Sequence, residues 1–178
     1  MKRRTLRLGL AAAAALLCGA ALPAGAVNLY RDDIRLTDDH GAAVTLADWR
    51  GRPAVLTMEY SGCRFTCSAL VSWLKAAQAA ADARGRALDF IVISLDPQND
   101  TPAAWTRYRR SRGLERSNWH FLTAAGRDTP VLARRLGIAY WREEEHIVHD
   151  FKLLRVDAAG EVIRSVDSYG ADFGRFVE

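Results

Sequence analysis

An α/β fold with an antiparallel hairpin at one edge is what this sequence predicts. Three observations carry that prediction: a strand, helix, strand succession over residues 54–95, a two-strand pattern around a turn at residues 157–160, and a balanced composition. The chain has 178 residues, of which 49% are hydrophobic and 26% charged. That suits one domain with a packed core and excludes a disordered, collagen-like or polytopic membrane protein.

Each element follows from a local signal. Residues 34–37 and 43–46 flank a turn closed by Gly41 and read as an N-terminal hairpin. Pro53 punctuates the chain before residues 54–60, a compact apolar run that reads as a buried strand. Ala69, Leu70, Trp73, Leu74, Ala77 and Ala80 keep helical spacing, predicting a helix over 66–84 with Gly85 as its stop. Residues 88–95 are apolar and β-branched, a second central strand. Thr101-Pro102 pairs an N-cap residue with Pro at the first helical position, so a helix runs to Arg112 and stops at Gly113. A short strand over 119–122, a helix over 128–136 ending at Gly137, and a hairpin of 152–156 with 161–165 complete the chain.

The net charge of +4 belongs to the first residues. Lys2, Arg3, Arg4 and Arg7 account for four of 25 basic residues, and the remaining 21 balance 21 acidic ones. The rest of the chain therefore has no general electrostatic footprint for phosphate backbones, and no nucleic acid partner is expected. This basic start, an apolar run over 8–22 and the small residues Ala24, Gly25 and Ala26 form a secretory signal, predicting a cleavable signal peptide over 1–26. The run is 15 residues, seven of them Ala, short of the roughly 20 apolar residues that span a bilayer. Leu17 before Cys18 is bulky where lipidation needs a small residue. Residues 27–178 then form one exported domain of the periplasm or cell envelope, meeting the membrane only through a partner or an uncleaved leader.

Export changes what Cys63 and Cys67 mean, because no cytosolic reducing pool keeps them as thiols. They suit a structural disulfide, a redox couple or part of a metal site. Were the segment helical, both sulfurs would share a face with Cα atoms roughly 6 Å apart. A loop this short contributes only about 2 kcal/mol as a staple. Its place after a central strand and near a helix start favours a low-pKa thiolate, which is both the nucleophile of disulfide exchange and a metal ligand. Arg64 adds to this. With imidazole from His40, His120, His146 or His149, two thiolates suit Cu(I), Cu(II) or Zn(II).

Four ordered blocks go further: Tyr60-Ser-Gly-Cys63-Arg-Phe-Thr-Cys67; Ile93-Ser-Leu-Asp96-Pro-Gln-Asn-Asp100-Thr-Pro102; Trp119-His-Phe-Leu-Thr123; and Val148-His149 ahead of Leu153-Leu-Arg-Val-Asp157-Ala-Ala-Gly160. Together they resemble the Sco/SenC proteins. The resemblance implies a thioredoxin-like fold, a central mixed sheet flanked by helices, here with the N-terminal hairpin as an extension. It also implies copper, Cu(I) or Cu(II), as the cofactor, with Cys63, Cys67 and His149 as ligands. His149 is assigned by its place eight residues before Asp157 and eleven before Gly160, the spacing of the family's histidine from its hairpin. His146, beside Glu143, Glu144 and Glu145, is the local competitor. The family commonly has Pro after each cysteine, where this chain has Arg64 and Ser68.

The function implied is an envelope copper-binding protein that assists assembly of the copper centre of a respiratory, cytochrome c, oxidase. Its partner is then that oxidase's copper-centre subunit or another envelope cuproprotein. The alternative is a thiol–disulfide oxidoreductase acting on envelope cysteines, in which Cys63 and Cys67 are the redox-active, catalytic pair and His149 is dispensable. Asp96 and Asp100 suit loop fixing, a partner contact, a turn or a cap. Arg107, Arg109, Arg110 and Arg112 suit a solvated helix face or a docking surface. No phosphate-binding glycine loop, zinc-protease helix or hydrolase elbow is present.

Overall fold

A computed structural model describes residues 28–31, 33–63 and 67–178. The leader, with its expected cleavage point, lies outside the described residues. The elements in chain order are β1 (Leu36–Asp38), β2 (Ala43–Val44), β3 (Ala54–Glu59), α1 (Cys67–Ala83), β4 (Asp89–Ser94), α2 (Pro102–Arg112), β5 (Trp119–Ala124), α3 (Thr129–Leu136), β6 (Tyr140–Glu143), β7 (His146–His149), β8 (Leu153–Val156), β9 (Val162–Val166) and α4 (Phe173–Phe176). Two 3-10 turns, Leu29–Arg31 and Leu46–Trp49, add to the N-terminal part.

Seven strands form one mixed sheet in the order β2-β1-β5-β4-β3-β8-β9. At its centre β3, β4 and β5 run parallel, with Leu56 opposite Ile91 and Ile91 opposite His120. The hairpin β8–β9 is antiparallel on one side and the hairpin β1–β2 antiparallel on the other. This is the mixed α/β architecture of the thioredoxin-like class, with the N-terminal hairpin closing one edge.

Both faces of β3 are covered, which is why its six residues read as a run and not as an alternation. Leu56 and Met58 pack with Ile91, Ile93 and Leu122 against Leu132 and Leu136 of α3. Val55 packs with Phe90, Val92 and Phe121 against Leu70 and Leu74 of α1 and Trp105 and Tyr108 of α2. The caps act as expected: Thr101 accepts from the Ala104 N–H at 3.2 Å, and Gly113, with φ of 64°, ends α2 in the left-handed region.

Two expectations need correction. Residues 45 and 46 do not continue β2, because Leu46 opens a 3-10 turn that the Thr45 and Asp48 side chains cap. Residues 138–151 carried no expected element, yet β6 and β7 form a separate two-stranded hairpin. Its turn lacks Gly, Asn or Pro; Glu144 takes the positive φ of 52° instead.

Candidate metal centre

β3 delivers Glu59 to the carboxyl end of the central strands, the end at which open α/β sheets bind ligands. The chain then turns through Tyr60, Ser61 and Gly62 to Cys63, whose N–H reaches the Tyr60 carbonyl at 3.5 Å. Cys63 is buried. Cys63 itself lies outside a helix, at the end of the turn after β3, and α1 is described from Cys67 onward. The side chain of Cys67 lies outside the described residues.

Asp100 fixes the approach to this loop. Fully buried, it accepts from the Ser61 N–H at 2.9 Å and from the Ser94 hydroxyl at 2.6 Å, joining the cysteine turn to the end of β4. Loop fixing is thus the role observed. Burial pushes its carboxyl above the usual range, against the pull of those two donors. The folded chain therefore holds this proton more tightly than the unfolded chain. Asp100's contribution is complete below the unfolded carboxylate pKa and is lost as pH rises through the raised folded value. We expect Asp100→Ala, which strands two donors, to lower stability by about 2–4 kcal/mol. In denaturant titrations the deficit should be largest in acid and shrink toward neutrality; a deficit that grows with pH would contradict the burial effect.

His149 arrives from the other side, as the last residue of β7. Its side chain is 2% exposed. Nδ1 lies 3.0 Å from the Asp150 carbonyl, and a carbonyl only accepts, so Nδ1 carries the proton. In the neutral ring the lone pair therefore sits on Nε2. Among the described residues that atom is buried without a hydrogen-bond partner, and Oε1 of Glu59 lies 3.7 Å from it. Burial lowers the His149 pKa, but the Glu59 carboxylate and the Asp150 carbonyl outweigh it, and the net direction is upward.

Tyr60 joins the two sides. Its hydroxyl accepts from the Ile147 N–H of β7 at 3.3 Å, and its ring meets the His149 ring edge-on at 6.1 Å. Arg142 of β6 adds a link to Asp96 in the loop after β4, at 3.3 Å. Cys63 and His149 are thereby held around one tyrosine. His146 stands three residues earlier on β7, exposed and on the opposite face. His120 pairs with Asp89 at 2.7 Å at the amino end of the central strands, and His40 is in an exposed turn.

A buried imidazole nitrogen with no partner and a buried carboxylate beside it fit a metal ion. Among the described residues alone no group of three His, Cys, Asp or Glu side chains converges on one point. The expected basic patch is divided. Arg109 pairs with Asp39 and Arg112 lies over Tyr108 while reaching the Cys63 carbonyl at 3.5 Å; Arg107 and Arg110 are exposed. Sequence reading missed Glu59. The available signal was a carboxylate ending a run of buried residues, where unpaired charge is rare.

Fold and site together define a thioredoxin-like domain with a Cys-x-x-x-Cys motif after its first central strand and a histidine brought beside Tyr60 by a separate hairpin. The chain belongs to the SCO1/SenC family, whose sequence profile matches residues 25–171. Among solved structures it is similar to Arabidopsis thaliana ScoI with copper bound, at 19% identity over 81% of this chain and 90% of that one, TM-score 0.71. It is similar to BsSco, characterised by a disulfide switch and described as a member of the Sco family of cytochrome c oxidase assembly proteins, at 18% identity, 85% and 91% coverage and TM-score 0.74. A SCO1/SenC family lipoprotein from Bacillus anthracis str. Ames matches at 18% identity, 80% and 88% coverage and TM-score 0.73. No curated protein sequence matches this chain.

Proposed function

We propose that this protein carries a copper ion in the cell envelope for the copper centre of a respiratory oxidase, holding it with Cys63, Cys67 and His149. The observation that carries this reading is His149: its Nδ1–H is committed to a backbone carbonyl, while Nε2 is buried and free to donate its lone pair. The copper-bound relative and the oxidase-assembly relative support it. The leader and the lipoprotein relative support export, and among the described residues no helix is long and apolar enough to cross a membrane. The receiving partner is the copper-centre subunit of the oxidase or another envelope cuproprotein.

Copper is the cargo, and the chain's own residues present it. Two thiolates supply soft ligands, His149 an imidazole, and Tyr60 and Asp100 keep the turn and the hairpin in place. The pairing of two cysteines separated by three residues after β3 also supports a second reading: Cys63 and Cys67 exchange electrons with envelope thiols. A cysteine in the first turn of α1 gains thiolate character from the helix end. The two readings separate on His149→Ala. Copper binding lost with insulin disulfide reduction unchanged supports the carrier; strong reductase activity from a protein that takes up no copper supports the oxidoreductase.

A further inference from the structure

Glu59 faces the same ring nitrogen that copper would use. In outer-sphere arrangements a carboxylate accepts from the nitrogen that does not bind the metal. Here that nitrogen, Nδ1, is taken by the Asp150 carbonyl, and the Glu59 Oε1 lies 3.7 Å from Nε2. Glu59 is 1% exposed; Oε1 accepts the Tyr60 N–H at 3.1 Å, and Oε2 is buried with no hydrogen-bond partner. Two donor atoms bound to one ion at about 2.1 Å and a tetrahedral angle stand about 3.4 Å apart, close to the separation seen. A polar atom buried without a partner at the end of an otherwise closed strand is costly unless something completes it.

We propose that the Glu59 carboxylate joins Cys63, Cys67 and His149 around copper and tilts the site toward Cu(II). The inference rests on the copper reading above. A carboxylate oxygen is a hard ligand, better matched to Cu(II) than to Cu(I), which thiolates favour. Charge acts in the same direction. Two thiolates and a carboxylate carry three negative charges, so Cu(I) leaves two uncompensated in a buried site and Cu(II) leaves one.

The test is electron paramagnetic resonance of the Cu(II)-loaded protein together with competition titrations for Cu(I) and Cu(II), using wild type and the near-isosteric Glu59→Gln. We expect a changed Cu(II) spectrum, a Cu(II) affinity at least tenfold lower, and a Cu(I) affinity held or raised. A tenfold change in the ratio is roughly 59 mV in a one-electron potential. Where circular dichroism shows the Gln variant unfolded, Glu59→Asp, with its oxygens withdrawn by one methylene, must change the spectrum and lower the Cu(II) affinity. An unchanged spectrum with an unchanged affinity ratio would overturn the role of Glu59. No copper uptake by the wild type would instead overturn the copper reading.

Discussion

His149→Ala should lower the copper affinity of the reduced protein by at least a hundredfold, about 2.7 kcal/mol. The variant removes the buried Nε2 lone pair and leaves the two sulfurs and the Glu59 carboxylate to hold the ion, while the hairpin keeps its Ile147 to Tyr60 and Arg142 to Asp96 links. His146→Ala is the matched control, since it removes an imidazole from the same strand but from the exposed, opposite face. Competition titration against a chelator reads both. Equal losses in the two variants would show a nonspecific effect on the hairpin, and no loss at His149 would remove it from the ligand set.

The second large effect is redox control. Sulfurs joined to one another cannot ligate copper as thiolates, so oxidation of Cys63 and Cys67 should abolish tight binding, and bound copper should shield both from alkylation. On the proposed reading, reduced, metal-free protein should be the copper acceptor, and oxidised protein should stay inert until an envelope reductant restores it. Binding should also weaken on acidification, because protons compete for thiolates and for an imidazole whose pKa is raised. Mass spectrometry of alkylated samples with and without copper measures the shielding. Equal labelling of Cys63 and Cys67 in both would contradict a shared site.

The framework of the fold was legible because its signals are local. β3 is bounded by Pro53 and the cysteine turn, and α2 carries Thr101-Pro102 at its start and Gly113 at its end. The hairpin β6–β7 was hidden because its turn is made by Glu144 and its outer strand is mostly exposed, so neither a turn residue nor an apolar alternation marks it. That gap mattered for the site. Strand geometry separates His149 from His146, since residues three apart on a strand face opposite ways, but spacing alone chose His149 only through the family resemblance. Glu59 was hidden for another reason: its significance comes from a residue 90 positions away that only the hairpin brings to it. Asp100 was visible in its motif, yet its hold on Ser61 depends on the loop after β4 folding back.

The decisive measurement is anaerobic copper titration of the fully reduced protein. We expect one tightly held copper per chain, a stoichiometry that Cys63→Ser destroys and His146→Ala leaves intact. A reduced, folded protein that binds no copper, or a Cys63→Ser variant that binds it as wild type does, would show that Cys63 and its neighbours hold no copper site.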